Sequence, residues 1–418
     1  MQGVNQTKPP VEVNGRAYHW PKRPLVVICC DGSEPAYMEQ AMAKGLMPEL
    51  QRIIAKGEDH RGLSVIPSFT NPNNLSIVTG RPPAVHGISG NYLIDPESGQ
   101  EVMMNDPKWL RAPTIFAAFQ KAGAKVAVIT AKDKLRLLLS KGLRYDGTAI
   151  AFSSEKANQA NLAENGIEKV LEFTGKPLPE VYSGDLSEFV FAAGVKLLSS
   201  FAPDLMYLST TDYIQHKYAP GSPGAEAFYQ MMDSYLGALD RTGAIIVLTA
   251  DHGMKDKHLA DKSPDVIYLQ DELDSIFGPG KTKVILPITD PYVVHHGALG
   301  SFATIYVYGP DVNQVMAEIS KLDGMDVVLD RAEGCARFEL PPDRLGDIIV
   351  VSGGPNASKV LGTSASKHDL SGLNEPLRSH GGLSEQEIPI IINAKTQNLS
   401  QPLRNFDAFA IGCNHIAE

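Results

Sequence analysis

Along the chain, short unbroken apolar runs alternate with stretches whose apolar residues recur at helical spacing. The run "PLVVICCDG" at 24–32 has no polar residue before Asp31, the pattern of a strand buried on both faces. "KVAVITA" at 125–131, "DLMYLST" at 204–210 and "AIIVLTA" at 244–250 share its character. Helical patterns lie ahead of these three: "RAPTIFAAFQKAG", "DLSEFVFAAGVKLLSSFA" and "AEAFYQMMDSYLGALDR". In the last of them Phe228, Met231, Met232, Tyr235, Leu236 and Leu239 fall on one face, as a core-packing stripe does. The alternation predicts an α/β fold with a mostly parallel central sheet and helices on both faces.

After about residue 266 the pattern changes. "VILPI", "SFATIYVYG" and "MDVVLD" alternate with shorter helical stretches such as "DVNQVMAEISKL", which predicts a small inserted α+β unit. "GDIIVVSG" at 346–353 and "IPIIIN" at 388–393 then read as strands rejoining the main sheet. The expected organisation is an extended N-terminal arm over 1–22, an α/β core over 23–266 and 346–418, and an α+β cap over 267–345. Within the core, "SVIPSFTNPNN" predicts a strand at 63–66 followed by a helix. Thr70 or Asn71 would cap that helix, and Pro72 would take its first position.

A chain of 418 residues is long enough for one large domain plus such an insertion. Hydrophobic content of 43% and charged content of 21% are ordinary for a soluble globular protein. The formal charge of −10 argues against nucleic acid as a partner, because a phosphate backbone calls for a basic footprint. A small anionic substrate stays open, since a local cation outweighs distant net charge. The four cysteines form no disulfide framework, and Cys29 and Cys30 read as small buried hydrophobes. The first twenty residues contain no apolar signal region, and no apolar run approaches bilayer length. The expectation is a cytoplasmic enzyme with no membrane partner.

The apolar runs end in polar residues of one kind. The first delivers Asp31, and the third delivers Asp212 with His216 four residues later. The fourth delivers Asp251 and His252, and "LRSHGGLSEQEIP" offers His380 downstream. Taken singly, an aspartate after a strand is a helix cap and a lone histidine is a hydrogen-bonded side chain. In an open α/β sheet, however, sites form outside the carboxyl ends of the strands. Three aspartates and three histidines gathered at one edge suit two divalent metals with nitrogen and oxygen ligands, zinc above all. Two such metals clamp the attacking and leaving atoms of a phosphoryl-type transfer. Thr70 joins them at a helix N-terminus, where positive potential favours an anion.

The ordered set Asp31, Thr70, "VTGRPPAVHGI", "DYIQHKYAP", "ADHGM" and "SHGGLSEQEIP" resembles the alkaline phosphatase superfamily, in its nucleotide pyrophosphatase/phosphodiesterase-like branch. The resemblance covers both ends of the main domain and skips the insertion. It implies an alkaline phosphatase-like core with two Zn2+ per chain. One zinc would be held by Asp212, His216 and His380, and the other by Asp31, Asp251 and His252. Thr70 would bridge to the second zinc as nucleophile. Asn91, in "HGISGNYLID", would donate to a phosphoryl oxygen together with a backbone amide near Thr70.

Within that branch the chain looks most like enzymes that cleave the carbon–phosphorus bond of phosphonoacetate to acetate and phosphate. The implied partner is a small anionic phosphonate, and a homodimer is compatible with the family. "VITAKDKLRLLL" bears on the substrate, because Lys132 and Lys134 alternate just after a strand. They read either as a solvated charged loop or as a clamp for the substrate carboxylate, placing positive charge where the expelled carbon anion develops. Two alternatives stay open: a related zinc phosphodiesterase, nucleotide pyrophosphatase or phosphomonoesterase, and a catalytically silent zinc-binding module.

Overall fold

The apolar runs read from the sequence lie side by side in the middle of one eight-stranded sheet. The computed structural model describes residues 8–290, 297–354, 356–371, 373 and 375–417. The strands of its two large sheets are, in chain order, β1 Leu25–Cys29, β2 Glu58–Leu63, β3 Val126–Thr130, β4 Ala149–Ser153, β5 Leu205–Ser209, β6 Ile245–Thr249, β7 Thr282–Ile285, β8 Phe302–Val307, β9 Met325–Asp330, β10 Ile348–Ser352, β11 Glu387–Ile392 and β12 Leu403–Arg404. The large sheet runs β12-β2-β11-β6-β1-β5-β3-β4. Strands β6, β1, β5, β3 and β4 are mutually parallel, and only β11 runs antiparallel to its neighbours β6 and β2.

Side chains alternate across this sheet, so each central strand feeds two cores. Leu25, Val27 and Cys29 pack with the helices Thr70–Thr79, Ile115–Lys121 and Ala408–Asn414. Val26, Ile28 and Cys30 pack with the helices Pro35–Ala43, Asp185–Ser200 and Pro223–Arg241 on the other face. The stripe on the last of these is core packing, with Phe228, Met232, Leu236 and Leu239 buried and Met231 and Tyr235 partly so. The fold is α/β, a large central sheet flanked by helices. Among the described residues no helix is long and apolar enough to cross a membrane.

The second sheet is antiparallel, in the order β7-β8-β10-β9. This corrects one expectation: "GDIIVVSG" does not rejoin the main sheet, because β10 lies between β8 and β9 in the small one. All five of its residues are buried. A run covered on both faces carries the same signature whichever sheet takes it. The expected strand at 63–66 also shifts. The strand is β2, "EDHRGL", which is half-exposed and polar, while Val65 and Ile66 follow it as buried connection. Strand β4, "AIAFS", was not singled out from the sequence; alanine is a weak strand former, although all five residues are buried.

Of the expected arm over 1–22, residues 1–7 lie outside the described residues, and the rest contains a ribbon. Val11–Val13 pairs antiparallel with Arg16–Tyr18, and Tyr18 is buried. Its hydroxyl would lie 1.9 Å from a Cβ at Gly80. Gly80 ends the helix Thr70–Thr79 in the left-handed conformation, so both its φ of 68° and this close approach call for glycine.

Candidate active site

The carboxyl ends of β1, β5 and β6 meet through hydrogen bonds. After β1 the chain turns at Gly32, whose φ of +69° favours glycine and whose N–H donates to Asp251 Oδ1 at 3.1 Å. A Cβ at Gly32 would meet Asp212 Cβ at 3.1 Å, so the turn also admits the β5 segment. The Asp31 N–H donates to Thr210 Oγ1 at 2.9 Å, tying β1 to the residue after β5. Asp212 precedes the short helix Tyr213–Lys217, which sets His216 Nε2 2.9 Å from Asp212 Oδ2. His380 arrives at the end of a ribbon in which Arg378–Ser379 pairs with Lys255–Asp256.

Two trios result. Asp212, His216 and His380 offer ligand atoms within 4.8 Å of one another, and so do Asp31, Asp251 and His252. Each histidine is oriented by its far nitrogen. Nδ1–H donates to Arg378 O at 2.7 Å in His216, to Gly253 O at 2.8 Å in His252, and to Ser68 O at 2.7 Å in His380. That pattern leaves each Nε2 lone pair facing its trio, as in metal-binding histidines. His252 Nε2 stands 3.4 Å from Asp31 Oδ1 and 3.6 Å from Asp251 Oδ2, so lone pairs face lone pairs.

The charges are unbalanced in the same sense. Asp31 is 4% exposed, and its Oδ1 accepts no hydrogen bond. Burial pushes the Asp31 carboxyl well up, and the nearby Asp212 and Asp251 push it further. Burial also raises Asp251, against the pull of His252. Burial holds His380 well below its ordinary value, with His252 and His216 adding to the effect. Buried carboxylates facing one another are unfavourable unless a cation pairs them. Nitrogen and oxygen donors in trios fit a divalent metal of the zinc type.

Thr70 is the first residue of its helix and not the cap. The position before the helix is Phe69, in extended conformation, and no side chain caps the turn. Neither Thr70 nor Asn71 caps, and Pro72 is the third helical residue. The hydroxyl, freed from capping, stands 3.4 Å from His252 Nε2. One turn on, Asn74 is a residue that sequence reasoning passed over. Its Nδ2 donates to Asp251 Oδ2 at 3.1 Å and to Thr70 O at 3.0 Å, while its Oδ1 accepts from Tyr207 and Ser209 at 2.7 and 2.9 Å. A polar residue four after Thr70 in the run "TNPNNLSIVT" was the available signal. Lys257 and Glu385 were passed over too. This wholly buried pair, at 2.9 Å, ties the segment beyond His252 to the segment beyond His380.

A cavity of about 370 Å³ lies over the trios, with Asp31, Asp212, Thr70, Asn91, Lys132 and Lys134 on its wall. His216, Asp251 and His252 are buried. Asn91 is tied to the small-sheet segment, donating its N–H to Pro287 O at 2.7 Å and Nδ2 to Ile288 O at 3.3 Å. The two lysines come just after a strand, as expected, but at the start of a helix and not in extended chain. Strand β3 ends at Thr130, Lys132 precedes the helix Asp133–Leu139, and Lys134 lies in its first turn. Both still reach the cavity: Lys132 Nζ donates to Val181 O at 3.1 Å, and Lys134 Nζ pairs with Asp290 at 3.1 Å. Burial lowers the Lys132 amine from its ordinary value, opposed by Glu155 and more weakly by Asp212, Asp290 and Asp31.

A family model described as type I phosphodiesterase / nucleotide pyrophosphatase matches residues 25–382. Phosphonoacetate hydrolase from Sinorhizobium meliloti 1021, solved with phosphonoformate and with phosphonoacetate, is 62% identical. It superposes with a TM-score of 0.95, over 99% of this chain and 100% of that one. Murine ectonucleotide pyrophosphatase / phosphodiesterase 5 shares the fold at 17% identity, with a TM-score of 0.64 over 94% of each chain. An uncharacterized pyrophosphatase/phosphodiesterase of Schizosaccharomyces pombe is 22% identical over 249 residues, 59% of this chain and 44% of its own length. Phosphonoacetate hydrolase of Penicillium oxalicum is 60% identical over 30 residues, 7% of this chain and 42% of that one. The chain thus spans less than half the length of these two curated relatives. By the extent of the family match, the chain belongs to the type I phosphodiesterase / nucleotide pyrophosphatase family of the alkaline phosphatase superfamily.

Proposed function

We propose that the chain is a zinc-dependent hydrolase that cleaves the carbon–phosphorus bond of phosphonoacetate to give acetate and phosphate. The observation that carries this reading is the composition of one cavity. It holds a threonine beside two metal-ligand trios and two lysines, in a chain 62% identical throughout to a phosphonoacetate hydrolase.

Asp212, His216 and His380 would hold one zinc, and Asp31, Asp251 and His252 the other. Bound zinc supplies Lewis acidity, neutralises the buried carboxylates and favours the ionised hydroxyl of Thr70. Thr70 Oγ1 attacks phosphorus from the positive end of its helix. The carbon–phosphorus bond breaks, and its electron pair passes to the methylene carbon and into the carboxylate. Lys132 and Lys134 bind that carboxylate, so their charge acts where the anion develops. A water molecule gives its proton to the carbon, completing acetate, and the hydroxide left attacks phosphorus; the Oγ1–P bond breaks, phosphate leaves and the ionised Thr70 is restored. Asn91 would donate to a phosphoryl oxygen. The four-stranded unit, including β10, acts as the cap, contributing Ile288 and Asp290 to the wall. A cytoplasmic site of action is supported by four free cysteines.

A second reading, a phosphodiesterase acting on nucleotides, is favoured by one feature. Tyr182 lines the cavity, is 44% exposed and stands 6.3 Å from Tyr213, so a base could stack there. The test is phosphate release by the zinc-loaded chain from phosphonoacetate, beside nitrophenyl esters and nucleotides. Preferred turnover of phosphonoacetate supports the first reading, preferred turnover of nucleotides the second. No turnover of any of them at full zinc content would leave a silent zinc-binding module.

A further inference from the structure

The turn that carries the two cavity lysines is held by a carboxylate from a neighbouring strand. Glu155 follows β4, and its Oε2 accepts the N–H of Asp133 at 2.8 Å, the peptide group between Lys132 and Lys134. The two segments are laced at further points. The Glu155 N–H donates to Ala131 O at 3.1 Å, and the Ser154 N–H donates to Thr130 O at 2.9 Å. Ser153 Oγ donates to Asp133 Oδ1 at 2.9 Å. Asp133 is engaged on its own side by Arg136 at 2.7 Å and Lys156 at 3.4 Å.

Lys132 stands at the cap position of the helix Asp133–Leu139, yet its side chain makes no capping bond. Glu155 satisfies the first amide instead, and the Lys132 side chain extends to Val181 O in the cavity. Glu155 is itself on the cavity wall with both lysines. A carboxylate there repels an anionic substrate, so some compensating action must outweigh its presence. The bond to the Lys132–Lys134 turn is such an action.

We propose that Glu155 is a positioning residue for recognition of the substrate carboxylate: it fixes the Lys132–Lys134 turn and so presents both ammonium groups to the incoming anion. This rests on the proposed reading of the cavity as a phosphonate site with a lysine clamp. It adds a residue outside the metal trios and outside the lysines themselves.

The experiment uses the zinc-loaded full chain with Glu155→Ala and Glu155→Gln. Calorimetry measures binding of phosphonoformate, which carries a carboxylate, and of inorganic phosphate, which does not. In Glu155→Ala the Kd for phosphonoformate should rise about ten-fold or more, the size expected for a lost charge-assisted hydrogen bond. The Kd for phosphate and the zinc content should hardly move, and the Tm should fall by no more than a few degrees. Glu155→Gln keeps an oxygen that accepts the Asp133 N–H and should recover most of the loss. An unchanged phosphonoformate Kd in Glu155→Ala overturns the proposal. So does equal weakening of both ligands, or a Gln variant no better than Ala. Binding is read without turnover, so a parent chain inactive on phosphonoacetate would reject the functional reading and leave this test intact.

Discussion

His252 and His380 lie ring on ring, with 3.7 Å between centroids and 8° between planes, and each belongs to a different trio. Their Nδ1 atoms are anchored to separate backbone carbonyls, Gly253 O and Ser68 O. The stack therefore sets two donor groups side by side without merging them, which is the arrangement two adjacent metals need.

The metal content should follow this division. The isolated chain should bind two zinc ions, and chelation should abolish activity. Zinc should restore it better than magnesium, which prefers an oxygen-only octahedral shell. His216→Ala and His252→Ala should each lower zinc content by about one equivalent, because the trios share no protein ligand. Elemental analysis checks this, and loss of both ions from either variant would contradict it.

Lys132 and Lys134 should matter according to the leaving group. Truncating a buried charge–carboxylate contact costs roughly 2–5 kcal/mol, or about 30- to several-thousand-fold. Lys132→Ala should lower kcat/KM for phosphonoacetate within that range. Lys134→Ala should fall at its lower end, since that side chain is 40% exposed and solvent screens it. Hydrolysis of a nitrophenyl phosphate, whose leaving group is already good, should suffer much less. Equal losses on both substrates would assign the lysines to phosphate or to the loop.

His86, in the stretch "RPPAVHG", predicts a pH dependence of stability. It is fully buried, with Nε2–H donating to Ser76 Oγ at 2.9 Å and Nδ1 accepting the Ile88 N–H at 3.1 Å. Burial, with a contribution from Arg344, lowers its pKa from 6.5 to about 3. Between those values the unfolded chain binds a proton that the folded chain does not, so stability falls as pH drops through that window. From pH 7 to pH 5 the loss from this group is about 2 kcal/mol. Urea unfolding of His86→Asn should show a pH slope shallower by about that amount. Identical slopes for parent and variant would refute the assignment.

Much of the candidate ligand set was legible because it follows a one-dimensional rule, a polar residue at or just beyond the end of a buried apolar run. Asp31 and the pair Asp251 and His252 follow their runs at once, Asp212 follows its run after Thr210 and Thr211, and strand pairing then gathers them. What stayed hidden depends on tertiary partners. Nothing local in "IIVVS" says which sheet will take β10. The cap position fell to Phe69 because the helix starts at Thr70, a matter of backbone conformation and not of side-chain type. Asn74 and Glu155 act through bonds to strands distant in sequence or to a neighbouring turn, and β4 was too alanine-rich to be seen.

Thr70 carries the central claim, and one measurement addresses it most directly. Zinc-loaded parent and Thr70→Ala are incubated with phosphonoacetate, and acetate and phosphate are followed together by proton and phosphorus NMR. The account predicts equal amounts of acetate and phosphate from the parent. In Thr70→Ala turnover should fall by roughly a thousand-fold or more, with both zinc ions retained and the fold intact. Since Thr70 makes no capping bond, little stability should be lost with it. A Thr70→Ala chain that retains two zinc ions and releases acetate and phosphate at near the parental rate would contradict the account.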